Sequence, residues 1–458
     1  MRLIAVWMVL VTCFLVTSAA RAAADPTAEW PQFRGPGGQG HALARDLPLR
    51  WSETQNVAWR TPLPGRAWSS PVIEGETIWM TTALDTPAKE ADVKRRLKAN
   101  TGSQPLIVSE SISLRALGVD RRTGKLLHDI ELMTRREPQW IHTLNSYASP
   151  TPIVEAGRLY CHFGSYGTAC LETRSGEVIW TQQTLRVMHE NGPGGSPVLS
   201  GNHLVAHFDG SDEQFIAGLD KRTGKVAWKT KRSGELNSNP QLQKAYATPL
   251  LVAIAGRPQV ISPAADWLYA YDPATGRELW KQRYGLLGFS NVARPVFGHG
   301  LVYLSTGFMR SELLAIRPPG AGREAAEIVW RYRQAVPKQP SPLLVGDEIY
   351  IVHGTTGVVS CLDARTGKAI WKERVGGNFS ASPLYADGRI HLFRREGETV
   401  VIQPGRAYKL LAENKLDGQI MASPAAVGRA LYLRTDKALY RIEGPPRQAR
   451  VPDPGSRR

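Results

Sequence analysis

The sequence predicts an all-β fold: an eight-bladed β-propeller of four-stranded antiparallel blades, with the last blade closed by an N-terminal strand. Three observations carry that expectation. A turn-and-strand unit recurs five times, a proline dipeptide recurs eight times, and the final unit is one strand short.

The recurring unit reads VDRRTGKLLH from Val119, LETRSGEVIW from Leu171, LDKRTGKVAW from Leu219, YDPATGRELW from Tyr271 and LDARTGKAIW from Leu362. An acid (Asp120, Glu172, Asp220, Asp272, Asp363) stands four residues before a glycine (Gly124, Gly176, Gly224, Gly276, Gly367). Four residues after the glycine comes Trp180, Trp228, Trp280 or Trp371, with His128 once in its place. Asp and Thr side chains bond turn amides and Gly supplies a positive φ, so the segment joins two antiparallel strands. One indole at a fixed place per unit reads as a wedge between neighbouring units. The fifth unit keeps Trp330 behind a longer Pro-Gly turn, and the seventh, residues 400–411, has lost both acid and Trp.

The second element is Ser70-Pro71, Thr151-Pro152, Ser196-Pro197, Thr248-Pro249, Arg294-Pro295, Ser341-Pro342, Ser382-Pro383 and Ser423-Pro424. Each precedes an apolar strand, a polar turn and another strand. Proline would remove a ladder bond from a central strand, so it belongs at the start of the innermost one, near a channel mouth. The prolines lie 81, 45, 52, 46, 47, 41 and 41 residues apart. A period of about 40 to 50 residues with four strands per unit belongs to propellers. The last unit, residues 422–442, stops after three strands, and the segment NVAWR from Asn56 supplies a fourth with its own Trp59. Closing the ring this way removes exposed sheet edges. The long first interval holds an insertion, residues 84–106, read as a helix from Thr86-Pro87 to about Gly102.

The rest of the chain sets compartment and surface. Residues 1–24 combine Arg2, an apolar run of residues 3–16 and an Ala-rich end, the pattern of a cleaved signal peptide, which predicts a periplasmic or secreted protein. Thr12 before Cys13 departs from the small residue that lipidation signals place there. Residues 25–55 form an N-terminal arm, 56–443 the propeller and 444–458 a basic flexible tail. No later window is long and apolar enough for a transmembrane segment. The net charge is +16, and its Lys and Arg are scattered over turns, so a solvated basic face is expected and no nucleic acid. Cys161, Cys170 and Cys361 are too few for a disulfide scaffold. A hairpin turning at Ser165-Tyr166 would oppose Cys161 and Cys170, leaving a disulfide or two buried thiols as the readings.

At these repeats the chain resembles the PQQ-like, quinoprotein-type propeller family, which includes quinoprotein alcohol dehydrogenases and the propeller subunit of the outer-membrane β-barrel assembly machine. WPQFRGPGGQG from Trp30 and NVAWRTPLPGRAWSSPV from Asn56 are similar to the openings of exported members. The resemblance implies the fold firmly and activity weakly. Its dehydrogenases carry adjacent cysteines and Glu, Asn and Asp ligands on large inserts, and this chain has no Cys-Cys pair. The expectation is therefore a non-catalytic monomer that binds an envelope protein or polysaccharide, with no cofactor. The alternative is a small dehydrogenase using PQQ with calcium on an alcohol or sugar.

One polar group falls outside the repeat rule: His142, Asn145, Tyr147, His162, His189, Asn191, His207 and Asp209. Strand starts and turns of neighbouring blades gather at the ends of a ring, so this group is the candidate channel-mouth site. Satisfied loop side chains are its plainer reading.

Overall fold

A computed structural model describes residues 29–445, apart from 99, 101, 103, 286, 287 and 321. The expected signal peptide, residues 1–24, and residues 446–458 of the expected basic tail lie outside the described residues.

Eight four-stranded antiparallel sheets form the ring. Blade one contains Val72–Glu74, Thr77–Pro87, Ser109–Asp120 and Leu126–Arg136. The inner strands of blades two to seven begin at Ile153, Val198, Leu250, Val296, Leu343 and Leu384. Blade eight has three strands of its own, Ala425–Val427, Ala430–Arg434 and Ala438–Ile442. Its fourth is β1, Val57–Pro62, paired antiparallel so that Thr61 faces Leu439 and Arg60 faces Tyr440. The N-terminal strand thus closes the ring, as the missing strand predicts.

The repeated turn works as its chemistry suggests. In blade three Asp220 Oδ1 accepts from the amides of Arg222 and Thr223, and Gly224 sits at φ +72°. The absent Cβ makes room for the previous blade's aromatic ring. A Cβ on Gly224 would lie 2.4 Å from Trp180, one on Gly276 would lie 2.3 Å from Trp228, and one on Gly124 would lie 2.7 Å from Trp59. The indoles of Trp59, Trp180 and Trp330 also donate to the carbonyls of Arg121, Lys221 and Ala364 in the next blade's turn. Trp371 reaches Gly405 O across the altered turn of blade seven. Trp280 differs, donating to Gln259 in its own blade.

The residue before each proline builds a second belt. Ser70 N donates to Thr151 Oγ1, Thr151 N to Ser196 Oγ, and Ser196 N to Thr248 Oγ1, each at 2.9 to 3.0 Å. The chain of bonds resumes from Arg294 N to Ser341 Oγ, then Ser341 N to Ser382 Oγ and Ser382 N to Ser423 Oγ. It is interrupted where Arg294 brings no hydroxyl. Between blades eight and one, Arg434 instead donates to Ser69 O, Ser69 Oγ and Thr81 O.

The insertion holds a helix, but a shorter one than the sequence suggests: Thr86-Pro87 ends the second strand of blade one, Thr77–Pro87, and the helix α1 runs over Glu90–Leu97 with no buried residue. One local expectation is corrected, the hairpin register, which differs by one. Cys161 pairs with Ala169 and Cys170 with Tyr160, which points the two thiols to opposite faces of the sheet. Both are free and buried, in separate apolar clusters, so the disulfide reading falls.

Candidate functional site

The inner strands surround a well of about 420 Å³. Seven hydroxyls of the belt, Ser70, Thr151, Ser196, Thr248, Ser341, Ser382 and Ser423, line its wall, because each proline starts an inner strand at the same height. Asn145, Asn191 and Gln339 add amides, and Lys338 and Arg395 add cations. Arg395 is held by Ser380 Oγ at 2.6 Å and Gln339 Oε1 at 2.8 Å. Its burial lowers its pKa. No Asp or Glu lines the well.

One end of the well is closed by the arm. Trp30 exchanges both backbone bonds with Ile73 of blade one, and Pro31 O accepts from Val154 of blade two. Gln39 Oε1 accepts from the Phe297 amide of blade five, and Gly40 and Ala42 bond Tyr385 of blade seven. Arg45 N donates to Gly428 O of blade eight. The arm therefore crosses the ring from one side to the other, and Phe33 forms part of the floor.

At the mouth, Leu144, Val292 and Phe308 line the well while being 46%, 37% and 53% exposed. Lys338 Nζ lies 4.5 Å from the centre of the Phe308 ring. Trp68 donates to Leu144 O, and Arg66 donates to Thr143 O. The insertion stands beside this mouth, because Leu106–Ile107 pairs with Ile141–His142.

Of the eight side chains expected at a mouth, His142, Asn145 and Asn191 line the well. The other five are interior. Tyr147 is 2% exposed. His162 bonds Thr168 Oγ1 at 2.8 Å and its ring meets Phe208 edge-on. His189 takes the Ser165 amide at 3.3 Å, and His207 bonds Ser262 Oγ at 3.2 Å. Asp209 holds Arg232 through two bonds of 2.8 and 2.9 Å. His162, His189 and His207 are close enough to repel one another's charge at His162, and burial first, then that repulsion, pushes His162 down to about 3. Burial also pushes His189 and His207 down to about 4, so all three are neutral packing groups at pH 7. The expected convergence holds for His142, Asn145 and Asn191 and not for the other five: second strands bury their ends between sheets, and inner-strand starts face the channel.

Sequence reasoning missed Phe33, Phe308, Lys338 and Arg395. The signal for the wall was present in the eight dipeptides, whose Ser and Thr were read only as marking strand starts.

The sequence profile of the family described as outer membrane protein assembly factor BamB matches residues 47–230, 169–328, 265–420 and 356–443, nearly the whole ring. The chain belongs to this family. Among its relatives, BamB of Shewanella oneidensis is 23% identical over 246 residues, 50% of this chain and 57% of that protein. BamB of Burkholderia pseudomallei is 33% identical over 94 residues, 20% of this chain and 23% of that one. The chain spans about half or less of the length of these BamB relatives. A solved europium-containing methanol dehydrogenase superposes with a TM-score of 0.50 at 11% identity, covering 90% of each chain, a likeness of fold.

The quinoprotein-type resemblance of the repeats raises a quinone cofactor, which the residues of this BamB-family well do not fit. A calcium-bound quinone needs hard oxygen ligands, carboxylates foremost, and a carboxylate base. The lining supplies hydroxyl and amide oxygens but no carboxylate, and no three His, Cys, Asp or Glu side chains among the described residues gather as a cation site. No helix among the described residues is long and apolar enough to cross a membrane.

Proposed function

We propose that the chain is an exported, non-catalytic binding module of the cell envelope that receives a segment of an envelope protein at the open mouth of its ring. The observation that carries this reading is the mouth itself: exposed Leu144, Val292 and Phe308 around a well whose only charged groups are Lys338 and Arg395. Apolar side chains gathered at a concave rim mark interaction sites more than the same residues scattered singly. An acidic or carboxylate-bearing segment with apolar neighbours matches that lining. Membership of a family described as outer membrane protein assembly factor supports the same class of partner, and the signal-like residues 1–24 support the compartment.

The test is crosslinked purification of tagged protein from envelopes, comparing wild type with Phe308→Ser. An outer-membrane assembly component retained by the first and lost from the second is expected. Equal retention, or none above an untagged control, would remove the proposal. Polysaccharide captured in place of protein would shift the ligand class. The rival reading, alcohol or sugar oxidation with PQQ and calcium, draws support from the methanol dehydrogenase fold, and the carboxylate-free well stands against it. Reconstitution with quinone and calcium should give neither bound-cofactor absorbance nor dye reduction.

A further inference from the structure

Behind Phe33, Arg34 of the arm and Arg294 of blade five meet between the arm and the inner strands. Arg294 stands where seven blades have Ser or Thr. Both side chains are buried, at 2% and 1% exposure. Arg294 Nη1 donates to Phe33 O at 2.7 Å and Nη2 to Gln32 Oε1 at 3.3 Å, while Arg34 Nη2 donates to Pro342 O at 2.8 Å. Arg34 Nε, Arg34 Nη1 and Arg294 Nε are buried without a partner.

Every protein acceptor in that set is neutral. Burial, and for Arg34 also repulsion from Arg294, lowers both pKa values to about 9, which leaves both guanidinia protonated at pH 7. Neither has an ion pair with Asp or Glu among the described residues. Removing two like charges from water costs several kcal/mol each unless a counter-charge accompanies them. Water would complete the hydrogen bonds but leave the charge uncompensated.

The arm is shaped to keep both cations in place. A Cβ on Gly38 would fall 2.2 Å from Arg294 Nη1, and one on Gly40 would fall 2.7 Å from Arg34 Nη2. Both glycines have positive φ, +70° and +82°. The RGPGGQG segment therefore closes its backbone over two guanidinia that no side chain neutralises.

We propose that Arg34 and Arg294 together bind one small inorganic anion, of halide size, in the seam between arm and channel, and that this anion locks the arm as the floor of the well. A small anion is specified because both side chains are out of solvent and the backbone of Gly38 and Gly40 lies directly against their guanidinia. The inference does not depend on what the mouth receives.

The test uses the intact mature protein. Crystals grown with bromide should show anomalous density within hydrogen-bonding reach of Arg34 or Arg294. In melts at fixed ionic strength, each tenfold replacement of methanesulfonate by chloride should raise Tm by about 2 °C. Arg294→Met and, separately, Arg34→Met should flatten that dependence. Should both variants fail to fold, wild-type diffraction still decides. Water in place of bromide, or equal Tm in both salts, overturns the proposal; bromide density with no effect on Tm overturns the lock.

Discussion

At the arm end of the channel, residues from outside the repeat bond to blades one, two, five, seven and eight, and Phe33 lines the well. At the mouth, the same inner strands begin with hydroxyls in a ring, and Leu144, Val292 and Phe308 stay exposed. The repeat already makes the two ends differ, because seven of the eight inner strands start at the mouth with a hydroxyl. Departures from the repeat add to that difference: the arm, Arg294 in place of a hydroxyl, and the blade-one insertion beside the mouth.

Removing β1 should have the largest effect. Without residues 57–62, blade eight keeps three strands and an open outer edge along Ala438–Ile442. The variant is expected to lose its folded monomer in size-exclusion and circular dichroism measurements. A deletion of residues 30–47 should instead fold with a lower Tm and a channel open at both ends. If the two deletions behave alike, closure and plugging are one function and the contrast fails.

Acid should act next, through the interior. His162, His189, His207 and His391 are pushed from 6.5 down to about 3, 4, 4 and 4, chiefly by burial. As pH falls below 6.5 the unfolded chain takes up protons first, so stability present above that pH is lost progressively toward pH 4. The loss is on the order of 2 kcal/mol per histidine at pH 5. Tm should fall steeply between pH 7 and 5 and recover in part in His207→Gln. A flat profile would mean these side chains are hydrated.

Trp180→Ala removes the indole packed on Gly224 and its bond to Lys221 O, and should cost about 3 kcal/mol in chemical denaturation. A cost below about 1 kcal/mol would show that apolar sheet faces alone hold neighbouring blades together. Phe308→Ser should be smallest, within about 0.5 kcal/mol of wild type, while abolishing partner capture. A large loss of stability there would make Phe308 a structural residue and the mouth an ordinary surface.

The ring was legible because its signals are local. The acid-to-glycine spacing, the fixed indole and the prolines each report on a few consecutive residues. Blade count and closure by Trp59 then follow from strand arithmetic. The site was less legible because channel-facing residues are spread over all eight units. His162, His189 and His207 looked like a site because they are unusual in the repeat, yet their strand ends are buried. Cys161 and Cys170 were misplaced by one residue: the turn carries Gly164–Tyr166 as a 3-10 segment, which shifts the pairing. The arm reads as chain outside the repeat, but no local pattern says that it crosses the ring.

Amide exchange by mass spectrometry tests most directly the claim that the N-terminal segment both seals one end of the ring and staples the last blade. The amides of Trp30, Ala42 and Arg45, and those of β1 paired with Ala438–Ile442, should exchange only with global unfolding, as slowly as the second strands of the blades. Exchange of these amides within seconds, while the blades stay protected, would contradict it.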